Sequence, residues 1–341
     1  MKERKTDSKK LLELIDKLPG FCQDLLIGRK SERAINTRLA YAHDLTHFFE
    51  FLHDTHPYFC VIDTKELKPA DMANVKAIDI DKYIEIYSDN HSDRSTARMK
   101  ASISAMYRYL HNTLEAVPTN PVLGAQKIKI MQQDFVIYLT MNEQDKLLNT
   151  IKYGNGLTKR QLALHKNYKK RDLAMIFLFL DTGLRVSELH GIDNEDIDYK
   201  NHSVIIRRKG GKLQQVYFSD ECTEYLTDYM QEKENSLQIQ CTPKNPMFVT
   251  LKGERLSVRQ MEEIIPKYIA AALPERGVLN CHKLRSSFAM EFIMRPAEFG
   301  GGNMLELQER MGHKSIQSTN VYAKAARNVS RDTRNWRSQT K

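Results

Sequence analysis

Apolar residues return every three or four positions through most of the first 120 residues. In "NTRLAYAHDLTHFFEFLHD" the residues Leu39, Leu45, Phe48, Phe49 and Leu52 share one face, which predicts an amphipathic helix over 36–54. "IDIDKYIEIYSD" predicts a second helix, over 78–89. "SDRSTARMKASISAMYRYLHNT" predicts a third, with Ser92 or Ser95 as cap and Met99, Ile103, Met106 and Leu110 as its buried stripe. Arg94, Arg98 and Arg108 lie off that stripe. Four or so helices of this kind make a bundle with basic outer faces, and one such face alone reads as simple solvation.

The period breaks in "AVPTNPVLGAQKIKIMQQDF", which holds two prolines and a glycine. A linker over 121–136 therefore separates a helical domain, 1–120, from a second domain, 137–341. Thr140 followed by Glu143 is a capping box, so the second domain opens with a helix. "LAMIFLFLDTG" is apolar all round but too short to cross a bilayer, and reads as a buried core helix. "SVIIRRKGGKLQQVYFS" alternates β-branched and polar residues about Gly210 and Gly211, predicting a β-hairpin with a two-residue glycine turn. Helical spacing returns in "ECTEYLTDYMQEKE" and "SVRQMEEIIPKYIAAAL" and runs on to the end. The fold class is mainly α with a small antiparallel β-sheet.

Composition narrows the function. The 341 residues carry a formal charge of +9, which favours a polyanionic partner, nucleic acid ahead of an anionic membrane surface. The opening "MKERKTDSKK" lacks the apolar core of a signal peptide, so the expected location is the cytosol. Cys22, Cys60, Cys222, Cys241 and Cys281 have neither zinc-site nor disulfide spacing and read as ordinary reduced residues.

Five places in the second half carry chemistry-bearing residues. "DTGLRVSEL" sets Arg185 three residues before Glu188 at a glycine-started helix, where the carboxylate can hold the guanidinium; alone, this is a structural ion pair. Lys209 and Lys212 flank the hairpin turn, and each alone is a surface lysine. "CHKLRSSFA" sets His282 three residues before Arg285, a common pairing. His313 follows Met311-Gly312 and precedes a helix carrying Tyr322, which alone reads as a half-buried packing residue.

Taken in order, these features resemble the tyrosine recombinase family, which includes the phage integrases and the Xer recombinases. The match runs from about 138 to 326 through "DTGLRVSEL", "HKLRSSFA" and "MGHKSIQSTNVYAKA". "SERAINTRLAYAHDLTHFFEFL" matches the family's core-binding domain more loosely. The resemblance implies a helical core-binding domain joined to an α+β catalytic domain. It implies that Arg185 and Arg285 clamp the scissile phosphate, that Tyr322 is the nucleophile, and that His282 and His313 complete the phosphate contacts and proton handling. Lys209 takes the place of the lysine that protonates the leaving 5′-oxygen, and Glu188 supports Arg185. These roles suit the side chains: guanidinium forks match phosphate and stay charged, whereas lysine and histidine can give up a proton. DNA contacts are expected from Arg33, Arg38, Arg94, Arg98 and Lys212. No metal or other cofactor is implied.

Two departures stand out. The segment "EFIMRPAEFGGGNMLELQER" is longer than in the simplest Xer-like members, with an insertion at 295–303, and Ser286 replaces a histidine found in many members. The expected activity is site-specific recombination of double-stranded DNA through a 3′-phosphotyrosyl intermediate, by a homo-tetramer on two DNA sites with possible accessory proteins, in the bacterial nucleoid. A basic insertion at 158–171 favours integration or excision of a mobile element over chromosome resolution. A type IB topoisomerase-like enzyme and a non-catalytic DNA-binding regulator are the alternatives; the complete residue set argues against the regulator. The tail beyond Tyr322, with Lys324, Arg327, Arg331 and Arg334 at helical steps and Trp336 beyond them, reads either as a solvated end or as a segment exchanged between protomers.

Overall fold

The computed structural model describes residues 2–28, 35–130, 135–208, 211–295 and 301–338, with side chains described over 8–329 of these. The chain divides into two compact units, Met1–Gln132 and Gln133–Lys341. No helix among the described residues is long and apolar enough to cross a membrane.

The first unit is all helical: α1 (Lys2–Ile15), α2 (Gly20–Gly28), α3 (Ile35–Thr55), α4 (Ala77–Ser88) and α5 (Asp93–Asn112). The apolar stripes meet in one core, where Leu45, Phe48 and Leu52 of α3 join Met99, Ile103, Met106 and Leu110 of α5. Ser92 caps α5, its hydroxyl accepting from the backbone N–H of Ser95. Val122 and Ala125, inside the stretch expected to be a linker, are buried in this same core, so the chain leaves the first unit later than its proline content indicates.

Arg38, expected among the DNA contacts, is buried instead. Its Nε donates to the Leu26 carbonyl at 2.6 Å, filling an acceptor left open near the end of α2. Arg98 pairs at 3.0 Å with Asp44, which burial pushes above the usual carboxylate range against the lowering effect of Arg98 itself. Arg94 is exposed, and Arg33 lies outside the described residues.

The second unit holds α6 (Met141–Tyr153), α7 (Lys159–His165), α8 (Lys169–Thr182), α9 (Val186–His190), α10 (Asp220–Gln231), α11 (Val258–Ala272), α12 (Cys281–Met294), α13 (Met304–Met311) and α14 (Gln317–Ser338). The expected capping box opens α6, and Gly154 ends it in the left-handed conformation. The all-apolar helix is α8, packed against α6, α10 and α12. The basic stretch 158–171 becomes α7 and the first turn of α8.

A three-stranded antiparallel sheet runs β1 (Ile197–Asp198), β2 (Ser203–Arg207), β3 (Leu213–Tyr217), with Val204 opposite Val216 and Arg207 opposite Leu213. The expected two-residue turn is corrected here. Arg208 N donates to Lys212 O at 2.8 Å and Gly211 N to Arg208 O at 2.9 Å, so the connection spans three residues and ends on left-handed Gly211. The short β1 has too few residues to show an alternating pattern, which is why the sequence does not reveal it.

At the start of α8, Asp172 is fully buried and accepts from Arg171 Nε at 2.9 Å, Arg171 Nη2 at 2.7 Å and Tyr268 Oη at 2.9 Å, which ties α8 to α11. Asp172→Ala would leave a buried guanidinium without its anion, and should lower unfolding free energy by about 3–5 kcal/mol, read from the urea midpoint. A loss below about 1 kcal/mol would show that the network contributes little net stability.

Candidate active site

The site forms where two helices of the second unit end. α8 stops at Gly183 (φ +61°) and α13 at Gly312 (φ +58°), both left-handed, a conformation that costs a residue with a Cβ. Gly183 thus closes α8 rather than opening α9. A Cβ there would collide with the Phe288 ring, and one on Gly312 would sit 2.8 Å from Arg208 Nε. Helix ends present carbonyls with no partner inside the helix and a partial negative charge. Here arginines fill them.

Three consecutive carbonyls at the end of α13 each receive one guanidinium: Arg310 O from Arg208 Nη2, Met311 O from Arg285 Nη2, and Gly312 O from Arg185 Nη2 at 3.2 Å. Arg285 also donates through Nη1 to Gly183 O, the end of α8. Glu188 supplies the formal negative charge. Its Oε1 accepts from Arg185 Nη1 at 2.8 Å, and its Oε2 from Arg185 N at 2.8 Å and Arg208 Nη1 at 2.7 Å. Burial alone would raise this carboxyl; the Arg185 backbone N–H and the Arg208 charge outweigh it and hold Glu188 below its ordinary range.

Arg285 is 2% exposed, and burial with the adjacent Arg185 charge brings its guanidinium down to about 10, still protonated at neutral pH. Arg185 keeps 38% of its side chain exposed. His282 starts α12 beneath the Asn280 cap; partial burial of its ring, then the Arg285 charge, lower its pKa. His313 shares a hydrogen bond of 2.9 Å between Nδ1 and buried Thr319 Oγ1, and its ring lies parallel to Tyr322 with centroids 6.4 Å apart. Tyr322, on the second turn of α14, is 6% exposed and packs with Phe288, Met311 and Ala325. α14 runs without interruption from Gln317 to Ser338 and exposes Lys324 and Arg327; the side chains of Arg331, Arg334 and Trp336 lie outside the described residues.

Arg185, Glu188, His282, Arg285, His313 and Tyr322 therefore come from three separate sequence motifs into one arginine-rich cluster. Lys209 lies outside the described residues, and the exposed Lys212 stands across the hairpin loop from Arg208. Arg208, Gln214 and Thr319 were not singled out from the sequence. Arg208 follows a strand in a basic run and looks solvent-facing, whereas its burial depends on α13, about a hundred residues away.

Residues 138–328, more than half of the chain, match the phage integrase family, and the protein belongs to it. Two curated relatives are both called tyrosine recombinase XerC. The one from Caldanaerobacter subterraneus subsp. tengcongensis is 28% identical over 85% of this chain and 78% of its own length. That from Chlorobaculum tepidum is 26% identical over 91% of both. Among solved structures, XerH recombinase bound to a palindromic difH substrate superposes with a TM-score of 0.66 at 15% identity, covering 89% of this chain and 80% of that one. A lambda integrase dimer bound to a COC′ core site gives 0.62 at 15%, covering 88% and 92%. These likenesses confirm the fold, a small antiparallel sheet among helices.

Desolvation, followed by the Arg285 and Arg185 charges, lowers the His313 pKa from 6.5 to about 4. Between those values the unfolded chain binds a proton that the folded site refuses, so this residue's contribution to stability is present near neutrality and lost as pH falls toward 4. In the DNA-free protein, the His313 ring should show no NMR titration step above pH 5.5 or so. A midpoint near 6.5 would mean that neither burial nor the arginine charges act on the ring.

Proposed function

We propose that this protein is a site-specific DNA recombinase that cuts and rejoins strands through a 3′-phosphotyrosyl intermediate. The observation that carries the reading is the arginine cluster at the end of α13, set beside Tyr322 and a neutral imidazole. Guanidiniums crowded together without enough carboxylate to neutralise them repel one another, and a phosphate bound between Arg185 and Arg285 relieves that repulsion. The same charges favour the extra negative charge of a pentavalent transition state.

In the proposed reaction Tyr322 Oη bonds to phosphorus as the bond to the 5′-oxygen breaks. The phenolic proton passes to a neutral imidazole, His313 or His282, whose lowered pKa values keep them able to accept. Lys209 gives a proton to the departing 5′-oxygen, and Glu188 holds Arg185 in place. Reversal with a different 5′-hydroxyl rejoins the strand.

Double-stranded DNA is the proposed partner, supported by the +9 charge and by relatives whose structures are of DNA-bound recombinases. Arg94, Arg98 and Lys212 would contact its backbone. We further propose a homo-tetramer on two DNA sites, with accessory proteins as possible partners, acting in the cytoplasm at the nucleoid. The basic segment 158–171 supports mobilisation of an element over chromosome resolution.

The test is covalent trapping. Adducts formed on genomic fragments, once sequenced, would give the site, and a nicked duplex carrying it would hold the intermediate. Wild-type protein should yield a protein–DNA band on a denaturing gel. Tyr322→Phe should bind that duplex normally and yield none, because the ring's packing remains and the attacking oxygen is gone. An adduct with Tyr322→Phe would assign the nucleophile to another residue.

A further inference from the structure

We propose that Thr319 is a positioning residue that holds the His313 ring by Nδ1 and so reserves Nε2 for the phenolic proton of Tyr322. The inference deepens the reading of Tyr322 as nucleophile and rests on it. Three observations meet at His313. Its backbone is fastened to α13, with its N–H on the Gln308 carbonyl at 3.0 Å and its own carbonyl accepting from Gln308 Nε2 at 3.1 Å. Its ring is fastened to α14, where Nδ1 and Thr319 Oγ1 lie 2.9 Å apart. Thr319 and Tyr322 stand three residues apart on one face of α14, and the His313 and Tyr322 rings lie parallel with centroids 6.4 Å apart.

Thr319 is 0% exposed, although its neighbours Ser318 and Asn320 face solvent. A hydroxyl buried for packing alone gives up its water contacts without return, and a valine would fill the same space. Here the oxygen meets a ring nitrogen instead. Which nitrogen of a neutral imidazole carries the hydrogen is set by the partner of the other one. A threonine hydroxyl can accept and donate at once, so Oγ1 takes the Nδ1 hydrogen and leaves the Nε2 lone pair uncommitted. Burial of the ring, then the Arg285 and Arg185 charges, keep that imidazole neutral. Without the threonine the ring can turn about its side-chain bonds and offer either nitrogen in either tautomer; with it, one orientation and one basic nitrogen are favoured. In the step itself the proton of Tyr322 Oη passes to Nε2 as Oη bonds to phosphorus and the 5′-oxygen departs. The imidazolium then carries hydrogen on both nitrogens, with Nδ1–H still donating to Thr319, and the proton returns to Oη when the strand is rejoined.

The test pairs a tautomer measurement with single-turnover cleavage. In the DNA-free protein, nitrogen NMR of the His313 ring should show hydrogen on Nδ1 and an unprotonated Nε2. Thr319→Val, which keeps the shape and drops the hydroxyl, should move the ring toward the Nε2–H tautomer. On a nicked duplex carrying the site, Thr319→Val should form the Tyr322 adduct about tenfold more slowly, less than the hundredfold or more that loss of a whole general base costs, with DNA affinity unchanged. Thr319→Ser restores the hydroxyl and should recover most of the rate and the tautomer; Thr319→Ala, with less bulk, replaces the valine variant if that one does not fold. Combined with His313→Ala, Thr319→Val should add little further loss, because the threonine acts through the ring. Hydrogen on Nε2 in the wild-type protein, or a full cleavage rate in Thr319→Val, would overturn the positioning role and leave the recombinase reading standing. If His313→Ala forms the adduct at the wild-type rate, the phenolic proton goes elsewhere and this role falls, while Tyr322 remains the nucleophile. An adduct that survives Tyr322→Phe removes the nucleophile itself, and the role of Thr319 with it.

Discussion

Three guanidiniums held together in a partly buried site repel one another, and what overcomes that repulsion here is the end of a helix. The last carbonyls of α13, at Arg310, Met311 and Gly312, each take one arginine, while Glu188 bridges two of them. The carbonyls would otherwise be unpaired acceptors, and the arginines would otherwise be desolvated donors, so each set satisfies the other. Left-handed Gly312 makes this possible twice over, by ending the helix where it does and by leaving no Cβ in the path of Arg208.

That arrangement stores a demand for negative charge. Carbonyl dipoles orient the guanidiniums without neutralising them, and Glu188 brings a single formal charge to Arg185 and Arg208. Under the proposed mechanism the remaining demand is met by the scissile phosphate, most of all in its transition state. The same field accounts for the imidazoles: desolvation and the arginine charges keep His313 and His282 neutral, and under the proposed mechanism that lets a histidine take the phenolic proton beside so much positive charge. Tyr322 is packed in the same apolar cluster as Phe288, whose ring lies against Gly183, so the helix-ending glycines shape both the proposed phosphate site and the seat of the proposed nucleophile.

Much of this was legible beforehand because the relevant patterns are local. The stripes of α3 and α5, the capping box of α6 and the apolar α8 each follow from spacing within one segment. The six catalytic side chains carried over by resemblance stand in short motifs, and all but Lys209 can be followed into the structure. What escaped is what depends on distant partners. Arg38 looked like a basic surface residue until α2 presented the Leu26 carbonyl to it. Arg208 sits in a strand-edge basic run, and no period within "IIRRKGGK" distinguishes it from Arg207 beside it. Its burial is decided by the end of α13 and by Gly312. The hairpin loop was read one residue too short because glycine pairs signal a tight turn, whereas the Arg208–Lys212 hydrogen bond sets the real closure.

The most direct measurement of the central interaction is single-turnover adduct formation by Glu188→Gln. An amide of the same shape can still accept one hydrogen bond but cannot supply the charge that holds Arg185 and Arg208 together. Adduct formation should slow by about a hundredfold while DNA affinity changes by about twofold or less, because the loss falls on orientation in the transition state and not on backbone contacts. Cleavage at the wild-type rate by Glu188→Gln would show that the carboxylate does not organise the site, and that the helix-end carbonyls alone suffice.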